Sequence, residues 1–288
     1  MSSSDNPQFE QQPSLGGEPP VTGTPFVAQT VATIPTAPPP VENPVWSGWD
    51  VLLIFGLSLA TIFIFQITIL FGTHYLLYPR IALNELAQQP MLLLVAQFLI
   101  DGAVAVYMVL LVEGKYHAAF WSAIRWNWPR SEWKLLALGA LMLFGLTLLE
   151  SILPMPKDTP FEKLFARPRD AYLLAIIAVT LGPIVEELFF RGFLYPVVAR
   201  RWGVTWAILL TALPFALMHL PQYGYAWGAM LVIFIVGVVC GLVRAATRSV
   251  GASFLVHAGY NGTQMLIAMV MTQGFRHMPK ALAQFCLS

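Results

Sequence analysis

The stretch VLLIFGLSLATIFIFQITILFG, residues 51–72, contains no charged side chain and is long enough to cross a lipid bilayer as a helix. Of the 288 residues, 57% are hydrophobic and 11% are charged, whereas soluble domains carry about 25% charged residues. This composition and pattern predict an all-α fold, a polytopic bundle of about seven or eight membrane helices in contact with the lipid bilayer. Six further apolar segments follow, at 91–112, 135–153, 171–198, 204–220, 226–243 and 251–271.

The first 45 residues have a different composition from the apolar segments. Residues 1–45 hold 10 of the 22 prolines and no lysine or arginine, which favours a disordered tail. Residues 46–288 then form the membrane-embedded domain. Within it, the tryptophan-rich segment 120–134 suits the headgroup zone, and a short amphipathic helix is expected around 160–166.

Charge and cysteine content narrow the function classes. The net charge is +1 and no basic cluster is present, so nothing in the sequence indicates a nucleic-acid partner. Basic residues divide almost evenly between the loops on the two sides of the predicted bundle. The slightly larger set shares its side with the tail, which favours a cytoplasmic N-terminus. Cys240 and Cys286 indicate neither a disulfide framework nor a thiolate metal site.

Three charged residues lie in one of the most apolar parts of the chain, GPIVEELFFRGFLYP, residues 182–196. A charge at the bilayer centre costs at least about 2.5 kcal/mol, so such residues usually face the interior of a bundle. Glu187 and Arg191 are four residues apart and can pair on one helix face. Glu186 is rotated by about 100° and faces a different space. The spacing predicts a supporting pair and a free Glu186, with a purely structural charge cluster as the alternative.

Two further motifs place polar residues on apolar helices. FALMH, residues 215–219, ends the fifth apolar segment with His219. HAGYN, residues 257–261, places His257 and Asn261 one turn apart on one face of the seventh segment. Small residues in this motif allow a neighbouring helix to approach closely. Taken alone, each motif is equally typical of polar residues that hold helices together.

Taken together, the three motifs supply the groups of a hydrolytic site. Glu186 can act as a general base on water, and His219 can polarise the same water. His257 and Asn261 can stabilise an oxyanion. Alternatively, His219 and His257 with a carboxylate could hold Zn²⁺ and leave an open position. The sequence lacks the H-E-x-x-H spacing of many zinc proteases, and the residues leave both mechanisms open.

The order E-E-x-x-x-R, F-x-x-x-H and H-x-x-x-N over about residues 120–271 resembles the CPBP intramembrane proteases. These include the type II CAAX prenyl endopeptidases and Abi-like proteins linked to bacteriocin processing and immunity, and members are described both as metalloproteases and as glutamate-dependent. The resemblance implies peptide-bond hydrolysis of a peptide or lipidated, CAAX-type protein substrate by an integral protein of a bacterial inner membrane. By position it implies catalytic roles for Glu186, His219, His257 and Asn261, supporting roles for Glu187, Arg191 and Phe215, and metal binding by His219 and His257 in a metal-dependent member.

Two other functions are compatible with polar residues inside membrane helices. A proton-coupled transporter also uses them, but the sequence shows no clear inverted repeat and the polar residues gather on three helices. A non-catalytic scaffold or immunity protein would keep the fold without using the catalytic groups. Asp101 and Gln97 share a face of the second segment, where Asp101 is expected to pair with another helix or to stay protonated.

Overall fold

The computed structural model describes residues 42–156, 159–165 and 167–277, and the regular elements in these ranges are all helical. Five of the helical stretches in this part of the chain are long and apolar enough to cross a membrane. Their outward faces carry many exposed large hydrophobic side chains, which suit contact with lipid rather than water. The predicted all-α membrane bundle is therefore confirmed.

The helices follow the seven predicted apolar segments closely. In the described ranges, three short helices, two α-helical and one 3₁₀, lie in the connections between them. The bounds are α1 Gly48–Leu76, α2 Leu83–Leu86, α3 Pro90–Val109 with a π-helical extension Leu110–Lys115, α4 Phe120–Ala123, α5 Glu132–Glu150, a 3₁₀ helix Phe161–Phe165, α6 Pro168–Val179, α7 Leu181–Glu187, a π-helical segment Leu188–Leu194, α8 Tyr195–Trp202, α9 Val204–Met218, α10 Trp227–Thr247 and α11 Val250–Met271.

The fourth apolar segment is one continuous helical stretch with two irregularities. Pro183 has no backbone N–H to donate to the preceding turn, and α6 gives way to α7 at Thr180, just before it. The π-helical segment Leu188–Leu194, hereafter the π segment, begins directly after Glu187. Single π turns inside helices are frequent at functional sites. Both glutamates therefore lie in the last turn of α7, where the helix changes its geometry.

Helices α5 and α11 touch through their backbones. A Cβ atom at Gly139 would lie 2.1 Å from the carbonyl oxygen of Val256, and one at Gly259 would lie 2.4 Å from that of Leu136. Only glycine permits this approach at either position. Gly259 belongs to the HAGYN motif, so the close approach predicted for that motif is present, and it determines where α11 carries its polar residues.

Residues 42–47, hereafter the N-terminal strap, pack across the π segment. The Trp46 indole is almost fully buried, stacks on Phe193 with ring centroids 4.7 Å apart, and donates from Nε1 to the Phe193 carbonyl at 2.8 Å. Glu42 Oε1 accepts hydrogen bonds from Arg125 at 3.1 Å and from Arg244 at 3.0 Å. The strap includes the last residues of the predicted tail, and residues 1–41 of that prediction lie outside the described ranges.

The two predicted interfacial segments also contain short helices. The 3₁₀ helix Phe161–Phe165 lies where the amphipathic helix was expected, and α4 lies in the tryptophan-rich segment. The Phe161 N–H donates to the Gln222 carbonyl at 3.2 Å, and its ring stacks near Tyr223 at 6.0 Å. The 3₁₀ helix is thereby attached to the turn that follows α9.

Candidate active site

Adjacent glutamates at the end of α7 face different surroundings. The Glu187 side chain is 0% exposed, whereas the Glu186 side chain is 20% exposed and lines a cavity of about 460 Å³. The divergence agrees with the rotation of about 100° between successive helical residues. Glu186 can therefore reach a ligand in the cavity, and Glu187 is enclosed by protein.

Glu187 belongs to a buried ion pair. Arg191 Nη1 lies 2.8 Å from Glu187 Oε1, and both side chains are 0% exposed. Arg191 Nη2 donates to the Gly237 carbonyl at 2.7 Å, and the guanidinium carbon lies 4.7 Å from the centre of the Phe215 ring. These groups, hereafter the buried lock, connect the π segment to α9 and α10. The pair that the four-residue spacing predicts is present.

His257 connects the buried lock to the cavity. Its Nδ1 lies 3.1 Å from Glu187 Oε1, and the imidazole side chain is buried. A carboxylate only accepts hydrogen bonds, so Nδ1 is the protonated donor when the imidazole is neutral, and Nε2 carries the lone pair. That Nε2 lies 3.8 Å from Glu186 Oε2. The lock thus sets both the orientation and the tautomer of His257.

His219 presents the same nitrogen to Glu186 from another helix. It follows the last residue of α9, and its Nδ1 lies 2.8 Å from the Phe215 carbonyl oxygen, which again makes Nδ1 the donor. Its Nε2 lies 3.9 Å from Glu186 Oε1. The Phe215 ring lies between the two imidazoles, with centroid distances of 5.0 Å to His219 and 5.6 Å to His257.

Three groups meet at one wall of the cavity in a triangle: the Glu186 carboxylate and the Nε2 atoms of His219 and His257. Separations of 3.8 and 3.9 Å exceed hydrogen-bond length, and polar groups at such distances are often bridged by one water. Both imidazoles direct a lone pair toward one carboxylate. This arrangement can hold and deprotonate a water molecule.

Asn261 lines the same cavity one turn after His257. Its Nδ2 donates to the Ala178 carbonyl at 2.8 Å, which ties α11 to α6. A carboxamide has two N–H groups, so the bond to Ala178 leaves one N–H free to donate to a ligand. The sequence predicted an oxyanion role but did not foresee the bond to α6.

One buried group of side chains has metal-ligand spacing within the described part of the chain. Ligand atoms of Glu187, Cys240 and His257 lie within 4.8 Å of one another, so the group could hold a metal ion. The sequence indicated no thiolate site at Cys240, because the cysteine stands far from the histidines along the chain. The Arg191 guanidinium already neutralises the Glu187 carboxylate at 2.8 Å, which opposes a second cation there.

Arg244 is a contact residue that sequence reasoning missed. Its guanidinium is almost fully buried and donates from Nε to the Arg191 carbonyl at 3.1 Å. In the sequence it directly follows an apolar segment, where it is interpreted only as a basic residue of the next loop. Its contact supports the π segment from α10, next to the buried lock.

Comparison with known proteins gives one match. Residues 168–263 match the model of a family described as Rce1-like, type II CAAX prenyl endopeptidase. The matched range runs from α6 into α11 and contains Glu186, Arg191, His219, His257 and Asn261. The resemblance read from the three motifs is confirmed over this range, which is shorter than the range of about 120–271 expected from the sequence. Searches of curated proteins and of solved structures found no match.

Proposed function

We propose that this protein is an intramembrane endopeptidase that hydrolyses a peptide bond of a membrane-associated substrate, with Glu186 and His219 activating water. The family match supports a membrane protease at the family level. The observation that carries the mechanism is this triangle, in which two imidazoles engaged at Nδ1 direct Nε2 toward the two oxygens of Glu186 at 3.8 and 3.9 Å.

Water activation follows from the protonation pattern of the triangle. Water donates one hydrogen bond to His219 Nε2 and gives its other proton to the Glu186 carboxylate as its oxygen attacks the scissile carbonyl. The C–N bond of the tetrahedral intermediate then breaks, and the leaving amine takes the proton from Glu186. The other water proton stays on the new carboxyl group, which releases it through His219 Nε2 as the product becomes a carboxylate, so both protons of the water are accounted for.

Charge on the carbonyl oxygen is stabilised by groups on α11. Asn261 can offer an N–H to the developing oxyanion. His257 can donate from Nε2 when it carries protons on both nitrogens, and its positive charge then lies 3.1 Å from the Glu187 carboxylate. The buried lock therefore acts as the support of His257 and does not contact the reacting atoms.

A zinc-dependent variant of this chemistry would use the same cavity. The donor set fits, because two imidazole nitrogens with free lone pairs and a carboxylate are typical ligands of a catalytic zinc. Nε2 of His219, Nε2 of His257 and Glu186 would hold the ion, which would polarise the substrate carbonyl. The bonds at each Nδ1, to Phe215 and to Glu187, would orient the ligands in either mechanism.

The proposed substrate is a lipidated protein or peptide of the CAAX type, or another membrane-associated peptide. We further propose a bacterial inner-membrane location with a cytoplasmic N-terminus. Arg125 and Arg244 contact Glu42, and Arg200 donates to the Pro44 carbonyl at 3.0 Å. These contacts support a position of the basic loops on the same side of the membrane as the N-terminal strap. The positive-inside rule assigns such loops to the cytoplasm.

The test uses purified protein in liposomes and a fluorogenic farnesylated CAAX peptide. We expect Glu186→Gln to lower kcat by roughly 10²–10⁴-fold without loss of folded protein. Glu132→Gln, at an exposed glutamate in the first turn of α5, is the matched control and should keep full activity. Cleavage by Glu186→Gln at the wild-type rate would refute Glu186 as the base.

A second measurement separates the two mechanisms. The wild-type protein is treated with a chelator, its metal content is measured by elemental analysis, and cleavage is assayed before and after Zn²⁺ is restored. Undiminished cleavage by metal-free protein would support the glutamate mechanism. Loss of cleavage that Zn²⁺ restores would support the zinc-dependent variant.

A further inference from the structure

A second polar group lines the cavity, on α3. Asp101 is 7% exposed, and its Oδ1 accepts a hydrogen bond from Gln97 Nε2 at 2.7 Å. Its Oδ2 is buried and has no hydrogen-bond partner among the described residues. Both side chains line the cavity that contains Glu186. A buried polar atom without a partner inside a membrane bundle is costly, and one that lines a cavity is free to bind a ligand there.

A matching group stands on α11. Gln264 is 5% exposed, lines the same cavity, and its Nε2 has no hydrogen-bond partner in the described part of the chain. It follows Asn261 by three residues, so the two carboxamides share a face of the helix. Asp101 and Gln264 thus approach the cavity from separate helices, each with one polar atom uncommitted.

The surroundings of Asp101 favour its neutral form. A buried carboxylate with a single hydrogen bond and without a neighbouring cation is strongly disfavoured. No lysine or arginine of the described residues lines the cavity, and the buried Arg191 is already bound to Glu187 and Gly237. Glu186, in the same cavity, adds the charge of a second carboxylate. Asp101 is then a carboxylic acid whose Oδ1 accepts from Gln97 and whose Oδ2 carries the proton.

We propose that Asp101, as a neutral donor, and Gln264 bind backbone carbonyl oxygens of the peptide substrate. This inference rests on the proposed function and names the substrate form that the cavity takes. Both free groups are donors, and an apolar cavity requires each substrate carbonyl to find one. A helical substrate bonds its carbonyls internally and has none to offer. The substrate segment is therefore extended where it passes these two donors.

Gln97 is a positioning residue for Asp101. Its amide N–H occupies Oδ1, so the acid can place its proton only on Oδ2. Gln97 is itself exposed at the rim of the cavity, where it holds the carboxyl group without closing access to it. Removal of this amide should weaken peptide binding less than removal of Asp101, because the acid can still rotate and donate.

The test compares Asp101→Asn, Asp101→Leu and Gln264→Leu. The dissociation constant of the farnesylated CAAX peptide is measured in the inactive Glu186→Gln background, and KM and kcat in the active protein. We expect Asp101→Leu and Gln264→Leu to weaken binding and raise KM about tenfold, with kcat little changed. Asp101→Asn should stay close to wild type, because Nδ2–H replaces the Oδ2 proton while Oδ1 still accepts from Gln97.

Thermal stability separates binding from a structural role. Asp101→Leu removes a buried polar group and leaves only the exposed Gln97 amide without its bond, so this variant should melt close to the parent while it binds peptide less well. Unchanged binding by Asp101→Leu would overturn the inference. An equal loss of peptide affinity in Asp101→Asn and Asp101→Leu would show that Asp101 does not act as a neutral hydrogen-bond donor. Absence of cleavage by the wild type would instead refute the proposed function.

Discussion

Two neighbouring glutamates on α7 show how one helical step separates an enclosed side chain from one that faces a cavity. Glu187 is fully enclosed and committed to Arg191 at 2.8 Å and to His257 at 3.1 Å. Glu186 faces the cavity and the imidazole nitrogens of His219 and His257, at 3.9 and 3.8 Å respectively. The two residues have the same side chain and the same apolar sequence context. What differs is that Glu187 Oε1 is bound by two protein side chains, whereas the Glu186 carboxylate faces a cavity that can hold a ligand.

The largest expected effect tests the enclosed side of this comparison. Glu187→Gln leaves the Arg191 guanidinium buried without its counter-ion, which should lower the free energy of unfolding by about 3–5 kcal/mol. The measurement is denaturant unfolding in detergent micelles. Glu186→Gln is the matched variant and should change the free energy of unfolding by no more than about 0.5 kcal/mol. Equal losses of unfolding free energy in the two variants would show that Glu187 is no more important for stability than Glu186.

The next effect concerns catalysis by Asn261. Asn261→Leu removes the donor proposed for the oxyanion and should lower kcat by roughly 10²–10³-fold. The lost bond to Ala178 should also cost about 1 kcal/mol of stability. Thr263→Val is the control, since the Thr263 hydroxyl donates to the Gly259 carbonyl of its own helix at 2.7 Å and should be dispensable. A stability loss with unchanged kcat would show that Asn261 only connects α11 to α6 and takes no part in catalysis.

A smaller difference should separate the two histidines. His257→Ala removes a hydrogen bond to the charged Glu187 and should lower the free energy of unfolding by about 1.5–3 kcal/mol. His219→Ala removes a bond to a backbone carbonyl at a helix end and should cost about 0.5–1.5 kcal/mol. Both variants should lose cleavage of the fluorogenic peptide. Matching stability losses would show that the bond from His257 to Glu187 stabilises the fold no more than the bond from His219 to the Phe215 carbonyl.

The smallest expected effect tests the N-terminal strap. Trp46→Phe keeps an aromatic ring on Phe193 but removes the Nε1–H that satisfies the Phe193 carbonyl, and should cost about 1 kcal/mol of stability. Trp49→Phe is the matched control, because the Trp49 side chain is 81% exposed. Thermal melting in detergent measures both. Identical melting temperatures would show that the strap does not support the π segment.

Much of the fold could be predicted because each membrane helix corresponds to a continuous apolar run in the sequence. The predicted segment 51–72 lies within α1, and the long segment 171–198 lies within the stretch from Pro168 to Trp202. The sequence did not indicate the π segment, since its composition does not differ from that of an ordinary apolar helix. Nor did it indicate the strap, because the proline-rich composition of residues 1–45 favours disorder while the contacts of Trp46 and Glu42 depend on distant residues.

The sequence alone determined the membrane bundle, the pairing of Glu187 with Arg191, and the set of polar residues on apolar helices that we propose for hydrolysis. These follow from local properties: the length of apolar runs and the four-residue spacing on a helix. Only the tertiary structure decided which nitrogen of each histidine faces Glu186 and that Asp101 and Gln264 share its cavity. Those facts depend on contacts between residues far apart in the chain, such as the 70-residue separation of Glu187 and His257. Local spacing carries no information about them.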